Sequence, residues 1–192
     1  MKFFVVIPAR YESSRLPGKP LLDIAGKPMI QHVYESAKKS SAEEVIVATD
    51  DSRILDAVLE FGGKAILTSK SHRSGTERVQ EVTRLLDLDS SDIVVNVQGD
   101  EPLIPPAAID KVATDLKEKA GFGIATICES VATGIEDPNI VKVVMNSFGE
   151  ALYFSRSPIP YSENSSNYFR HVGLYAYRVD ALKKFTEFPS SL

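Results

Sequence analysis

Cysteine is almost absent from the 192 residues: Cys128 is the single one, so no internal disulfide can form. A chain without disulfides is expected in a reducing compartment, here the cytoplasm. Cys128 stands in an apolar stretch, GIATICE, and reads as a small core residue rather than a nucleophile. No apolar run approaches the roughly 20 residues that cross a bilayer. The first residues also lack the charged, apolar and small-residue regions of a signal peptide, so neither a membrane nor secretion is expected. A surplus of positive charge is missing as well: the net charge is −4, which argues against a general nucleic-acid surface. No G-x-G-x-x-G follows the first apolar run, which argues against a nicotinamide-dependent dehydrogenase. Internal repeats and low-complexity tracts are absent.

What is present fits one globular domain with a full core: 43% of residues are hydrophobic and 25% charged. The organising stretch is residues 8–19, PARYESSRLPGK. An apolar, β-rich run precedes it, FFVVI at residues 3–7, and predicts a buried first strand. Pro8, Pro17 and Gly18 exclude a regular helix through the segment. Its cations are Arg10, Arg15 and Lys19. Arginine grips phosphate oxygens in pairs and lysine supplies a mobile point charge. A strand feeding this loop is therefore a place to hold a polyphosphate; a solvated loop with scattered charge is the plain alternative.

The turn at Gly26-Lys27-Pro28 predicts a helix with Pro28 in its first turn and Ile30, Val33, Tyr34 and Ala37 at helical spacing. His32 on that helix has no second His or Cys three or four positions away. It is expected as a partly buried helix residue, not a metal ligand. Residues 43–51, EEVIVATDD, predict a second buried strand ending in acids. Residues 54–61 predict a helix stopped by Gly62-Gly63, and KAILTS a third strand. This rhythm predicts a parallel sheet with right-handed crossovers, whose ligands sit outside the carboxyl ends of the strands. Residues 8–19 and 49–51 both fall at that edge. The segment 71–86 predicts a helix with Val79, Val82, Leu85 and Leu86 on one side. Ser74 or Thr76 caps it, and Glu77 stands where a capping box needs it. Free N–H groups around Ser74, Gly75 and Thr76, with Arg78 one turn in, suit a phosphate or a nucleotide base. An ordinary capped helix is the alternative. His72 reads as a polar loop residue.

Residues 92–106, DIVVNVQGDEPLIPP, predict a fourth buried strand, central in the sheet. Asp100 and Glu101 directly after it suit a hard divalent cation. Mg²⁺ wants oxygen ligands and often takes only one or two from protein; a plain Gly-Asp turn is the alternative. An amphipathic helix over 105–119, a short strand in GFGIATI and a polar loop, SVATGIEDPN, follow. Residues 140–160 predict two strands joined at Asn146-Ser147-Phe148-Gly149, a hairpin. The βα alternation thus gives way to antiparallel pairing. This divides the domain into a nucleotide-binding half, 1–120, and a smaller lobe, 121–192. A polar loop at 162–167 leads to the strand YFRHVGLYAYR, on which His171, Gly173 and Tyr175 share a face. The glycine leaves room above the sheet for a ligand; otherwise His171 and Tyr175 simply meet water. VDALKKF predicts a last short helix.

The pieces PARYESSRLPGKPL, ATDD, HRSGTER, VNVQGDEP, VKVV, ALYFSRSPIP and RHVGLYAYR, in this order and spacing, resemble the 3-deoxy-manno-octulosonate (Kdo) cytidylyltransferases. Single pieces are shared with wider relatives such as the CMP-sialic acid synthetases. SGTER, NVQGDEP and RSPIP before RHVGLYAYR point to the Kdo enzymes in particular. The resemblance implies a Rossmann-like α/β nucleotidyltransferase fold. It has a mostly parallel central sheet and a smaller antiparallel lobe for sugar binding and dimerisation. It implies transfer of CMP from CTP to Kdo, giving CMP-Kdo and pyrophosphate for lipopolysaccharide biosynthesis. It further implies Mg²⁺ as cofactor, a homodimer, and a cytoplasmic location. By position it assigns Arg10, Arg15 and Lys19 to the CTP phosphates, and Ser74, Gly75, Thr76 and Arg78 to the nucleotide. Asp100 would hold Mg²⁺, and Gln98, Arg156, His171 and Tyr175 would face Kdo. Arg15, Lys19 and Asp100 would be the catalytic groups. Members of that family continue for roughly fifty residues past the point matching Leu192, far less than a domain. There they carry a Glu-rich helix and a metal-binding Asp. The alternatives are a cytidylyltransferase for another sugar acid, such as a sialic acid or 8-amino-Kdo, or an inactive nucleotide-binding member.

Overall fold

The structure, a computed structural model, describes residues 2–12, 16–161 and 168–188. Arg15 and the loop at 162–167 lie outside the described residues. The chain forms two compact units, Met1–Ala125 with Leu174–Leu192, and Thr126–Gly173. The division therefore differs from the single boundary expected at residue 120. The last strand carries the chain back into the first unit, where its end pairs with the central sheet.

The first unit begins with β1 (Phe3–Ala9), the short strands β2 (Asp23–Ile24) and β3 (Lys27–Pro28), and helix α1 (Met29–Ala37). It continues through β4 (Glu44–Thr49), α2 (Ser52–Glu60), β5 (Ala65–Leu67), α3 (Gly75–Leu85), β6 (Ile93–Asn96) and α4 (Pro106–Glu118). The strand β7 (Ile124–Val131) then leads into the second unit, which holds β8 (Lys142–Met145) and β9 (Ala151–Ser155). The long strand β10 (Tyr168–Arg178) starts there and ends in the first unit, before α5 (Val179–Glu187).

Within the first unit the strands run in the order β5-β4-β1-β6, all parallel. Tyr175 to Arg178 of β10 pair antiparallel with β6. Strands covered on both faces need near-continuous apolar runs, and β1, β4 and β6 have them at residues 3–9, 45–48 and 93–95. Val6, Ile46, Ala48 and Val94 face Val79 and Val82 of α3 and Leu182 of α5. The alternate residues Val5, Ile7, Val45, Val47 and Val95 are equally buried and point the other way. On that side α1 and α4 pack against each other and against β1 and β6.

This strand order fixes where a ligand can enter. From β1 the chain winds through β4 to β5, then crosses back over β1 to β6. A right-handed crossover made in the opposite direction places its helix, α3, on the opposite face. The loops after β1 and β6 therefore diverge, and a crevice opens between their carboxyl ends.

Local capping explains where α2 and α3 begin. Asp51 caps α2 by accepting from the Arg53 N–H at 3.0 Å. Ser74 caps α3: its Oγ accepts from the Glu77 N–H at 3.2 Å. The reciprocal arm of the expected capping box lands one residue early, because the Glu77 carboxylate accepts from the Arg73 N–H at 2.8 Å. Two further expectations are corrected. Pro28 pairs with Asp23 in a small hairpin closed by Ala25 (φ 52°) and Gly26 (φ 85°). It therefore precedes α1 in an extended conformation instead of standing in the first helical turn. On α3 the sheet-facing stripe is Arg78, Val79, Val82 and Thr83, and Leu85 is exposed.

In the second unit β8 and β9 form the expected hairpin. Asn146 Oδ1 accepts from the N–H groups of Phe148 and Glu150, both at 3.0 Å, and Gly149 takes a positive φ. Lys142 is fully buried, with its ammonium donating to the carbonyls of Asp137, Ile140 and Arg156. The outer strand β9 leaves Leu152, Tyr153 and Phe154 exposed.

Candidate active site

A cavity of about 640 Å³ occupies the crevice in the first unit. Its walls are Pro8, Ala9 and Arg10 at the end of β1, Leu16, Lys19 and Pro20 of the following loop, and Gln98, Gly99 and Asp100 after β6. Two glycines bring these walls together. Gly18 has φ 71°, and its N–H donates to the Tyr11 carbonyl at 2.8 Å, which turns the loop back so that Lys19 faces the cavity. A Cβ on Gly99 would stand 2.9 Å from the Pro8 carbonyl oxygen, so only glycine lets the β6 loop lie this close to β1.

Lys19 Nζ donates to Asp100 Oδ2 at 2.6 Å. The two side chains are 35% and 51% exposed, so the pair is solvated and easily exchanged for other partners. Arg10 is exposed on the same wall. The cavity thus offers a polyanion two cations within reach of a carboxylate. Leu16 and Pro20 complete its apolar lining; their residue types gave no sign of that role.

The N-terminus of α3 borders the same strand. A Cβ on Gly75 would meet the Pro8 ring at 3.2 Å. Ser74 spends its hydroxyl on the cap, and the Thr76 hydroxyl is bonded to Tyr177. Burial pushes the Tyr177 phenol up to about 12, so it stays protonated. Arg78 departs from its expected place against a nucleotide. Its side chain is only 4% exposed, and Nη2 donates to Asp50 Oδ2 at 2.7 Å. Nη1 donates to Thr68 Oγ1 and, at 3.4 Å, to the Ser69 carbonyl. The acids of ATDD stand at the ligand edge as expected, yet Asp50 faces an arginine and Asp51 caps a helix.

The remaining candidates are placed separately. Gln98 lines the cavity. Tyr175 belongs to the first unit, where its ring stacks on Tyr177 with centroids 5.9 Å apart. Arg156 and His171 belong to the second unit. The Arg156 guanidinium donates to the Pro138 carbonyl at 2.7 Å. His171 Nε2 lies 2.9 Å from Thr126 Oγ1, and its ring meets Phe154 edge-on. Burial holds the His171 pKa below its ordinary value, so the ring is neutral at pH 7. A Cβ on Gly173 would meet nothing within 4 Å, so space does open over that glycine.

Among the described residues no group of three or more His, Cys, Asp or Glu side chains gathers as a metal cage. A half-exposed single carboxylate at the cavity is nevertheless a fitting donor for Mg²⁺, which completes its shell with phosphate oxygens and water.

The cytidylyltransferase family model matches residues 4–191. A 3-deoxy-manno-octulosonate cytidylyltransferase of Cellvibrio japonicus is 53% identical over 100% of this chain and 80% of its own length. The chain belongs to this family. The Escherichia coli relative of the same name is 50% identical over 100% of this chain and 78% of its own length. A solved CMP:2-keto-3-deoxy-manno-octonic acid synthetase complexed with CTP superposes with a TM-score of 0.94. It is 50% identical, over 100% of this chain and 80% of that one. A cytidylyltransferase from Leptospira borgpetersenii, 20% identical with a TM-score of 0.68, shares the fold; it aligns with 100% of this chain and 66% of its own. The Rossmann-like nucleotidyltransferase fold expected from the sequence is the one observed.

Proposed function

We propose that the protein transfers CMP from CTP to Kdo, giving CMP-Kdo and pyrophosphate. The observation that carries this reading is the meeting of Lys19 and Asp100 in the crevice beside β1. The family supplies the substrates: relatives about half identical over the whole chain bear the cytidylyltransferase name, and the synthetase of similar structure was solved with CTP.

In this reading the anomeric hydroxyl of Kdo attacks the α-phosphorus of CTP. A new P–O bond forms, the bond to the β-phosphate bridge breaks, and the pair of electrons leaves on pyrophosphate. The hydroxyl proton goes to solvent. The α-phosphorus is already electrophilic, so the protein mainly aligns the reactants and neutralises charge. Arg10 and Lys19, with Arg15 of the same loop, hold the triphosphate. As Lys19 turns to phosphate, its ion pair opens and leaves the Asp100 carboxylate available. Asp100 would hold Mg²⁺, which when bound would withdraw charge from phosphate oxygens. Ser74, Gly75 and Thr76 border the nucleoside. Gln98 and Tyr175 of the first unit face the sugar acid. The product serves lipopolysaccharide assembly, and the reaction runs in the cytoplasm. No helix among the described residues is long and apolar enough to cross a membrane. The assembly is a homodimer, a reading supported by the exposed Leu152, Tyr153 and Phe154 on β9.

The test is pyrophosphate release from CTP with Kdo, a sialic acid and 8-amino-Kdo offered separately. Release with Kdo well above the other two is expected. Preference for another acid would reassign the substrate, and release with none would remove the activity.

A further inference from the structure

Arg78 is an ionised side chain buried at the sheet edge, and it has a fixed set of partners. It bridges Asp50 just after β4 and Thr68 and Ser69 just after β5, while its own backbone lies in the first turn of α3. A planar guanidinium donating to separate acceptors fixes orientation as well as distance. The helix start it anchors leans on Pro8 through Gly75, and Pro8 is a wall of the cavity. The Tyr177–Thr76 bond ties the same turn to β10. The loops at the carboxyl ends of β4 and β5 and the first turn of α3 thus take their relative places from one side chain.

We infer that Arg78, through Asp50, is a positioning residue for nucleotide binding: it sets the first turn of α3 against the Pro8 wall and does not itself touch CTP. This deepens the proposed function and rests on its reading that CTP enters the cavity. Two mutually dependent residues give the test its edge. A direct phosphate ligand would keep its charge in Arg78→Lys and would be freed by Asp50→Asn. A positioning pair loses the same bridge in either variant, and the double variant loses nothing more.

The experiment measures CTP affinity by calorimetry, steady-state kinetics with CTP and Kdo, and amide hydrogen exchange of the ligand-free proteins. Wild type, Arg78→Lys, Asp50→Asn and the double variant are compared. Each single variant is expected to weaken CTP binding by about tenfold. The double variant should match the singles, and kcat at saturating CTP should stay within about twofold of wild type. Exchange should quicken at residues 69–77 and stay unchanged in β1 and β6. Asp50→Asn that binds CTP as wild type does would overturn the inference, as would additive losses in the double variant. Unchanged exchange at residues 69–77 would overturn it too. Should Arg78→Lys fail to fold, the near-isosteric Asp50→Asn carries the test alone. Failure of the wild type to bind CTP would instead overturn the proposed function, and this inference with it.

Discussion

Lys19 and Asp100 stand 81 positions apart in sequence and 2.6 Å apart in space. Their pairing concentrates the proposed chemistry on a few atoms. Lys19→Ala removes a solvated cation and no buried packing, so the melting temperature should hardly move. Turnover should fall by at least about 100-fold, the scale of losing one stabiliser of developing charge. Parallel thermal melts and pyrophosphate-release rates check both halves. His171 gives a prediction of a different kind. Burial holds its pKa below the ordinary 6.5, so the unfolded chain binds more protons than the folded one in the window just under that value. Its contribution to stability is complete above about pH 6.5 and is lost as the pH falls through the folded value. His171→Gln should flatten the fall in melting temperature just below pH 6.5. Glu35, Asp51 and Glu81 are held below their ordinary carboxylate values, so their losses begin only below about pH 4.5. Side-chain commitments were the least legible part of the sequence. Arg78 and Lys142 belong to residue types that are usually exposed, yet both are buried. Nothing near Arg78 in the chain names its partner Asp50, 28 positions away.

Elements were far more legible, because their signals are local. FFVVI, VIVA and IVV are unbroken apolar runs, which is what strands covered on both faces require. Ser74 and Asp51 cap their helices as their residue types promise, and Gly62 with φ 77° stands just past α2. Removing the α3 cap with Ser74→Ala should cost about 1 kcal/mol in denaturant unfolding. Gly99→Ala tests the junction between elements. Its Cβ would press on a backbone oxygen, so the β6 loop must retreat from β1. A stability loss of about 1–3 kcal/mol is expected, together with weaker CTP binding in calorimetry, because Gln98 and Asp100 shift with it. Leu85 misled the reading of α3 because a helical stripe is wide enough to admit several phases. The sheet, through Arg78 and Thr83, selected a different one.

At the scale of the molecule, strand order matters more than any single residue. The order β5-β4-β1-β6 reverses the winding at β1, and the cavity lies at that reversal. The strand β9 presents Leu152 and Tyr153 at 64% and 65% exposure, an unusual apolar surface for an outer strand. Leu152→Glu with Tyr153→Glu should therefore turn a dimer into a monomer in sedimentation analysis; a wild-type monomer would remove the homodimer from the reading. The family motifs, the βα rhythm and the change to antiparallel pairing could all be read from the chain, since each depends on neighbours within a few turns. The return of β10 to the first sheet could not, and the boundary expected at residue 120 gave way to a division at Ala125 and Leu174. The sequence alone determined which segments are strands, helices and turns, because periodicity, capping and glycine conformations act within a few residues. Only the tertiary structure decided that Lys19 meets Asp100 while Arg78 turns inward to Asp50. Coulomb attraction selects partners by distance in space, and the strand order sets those distances.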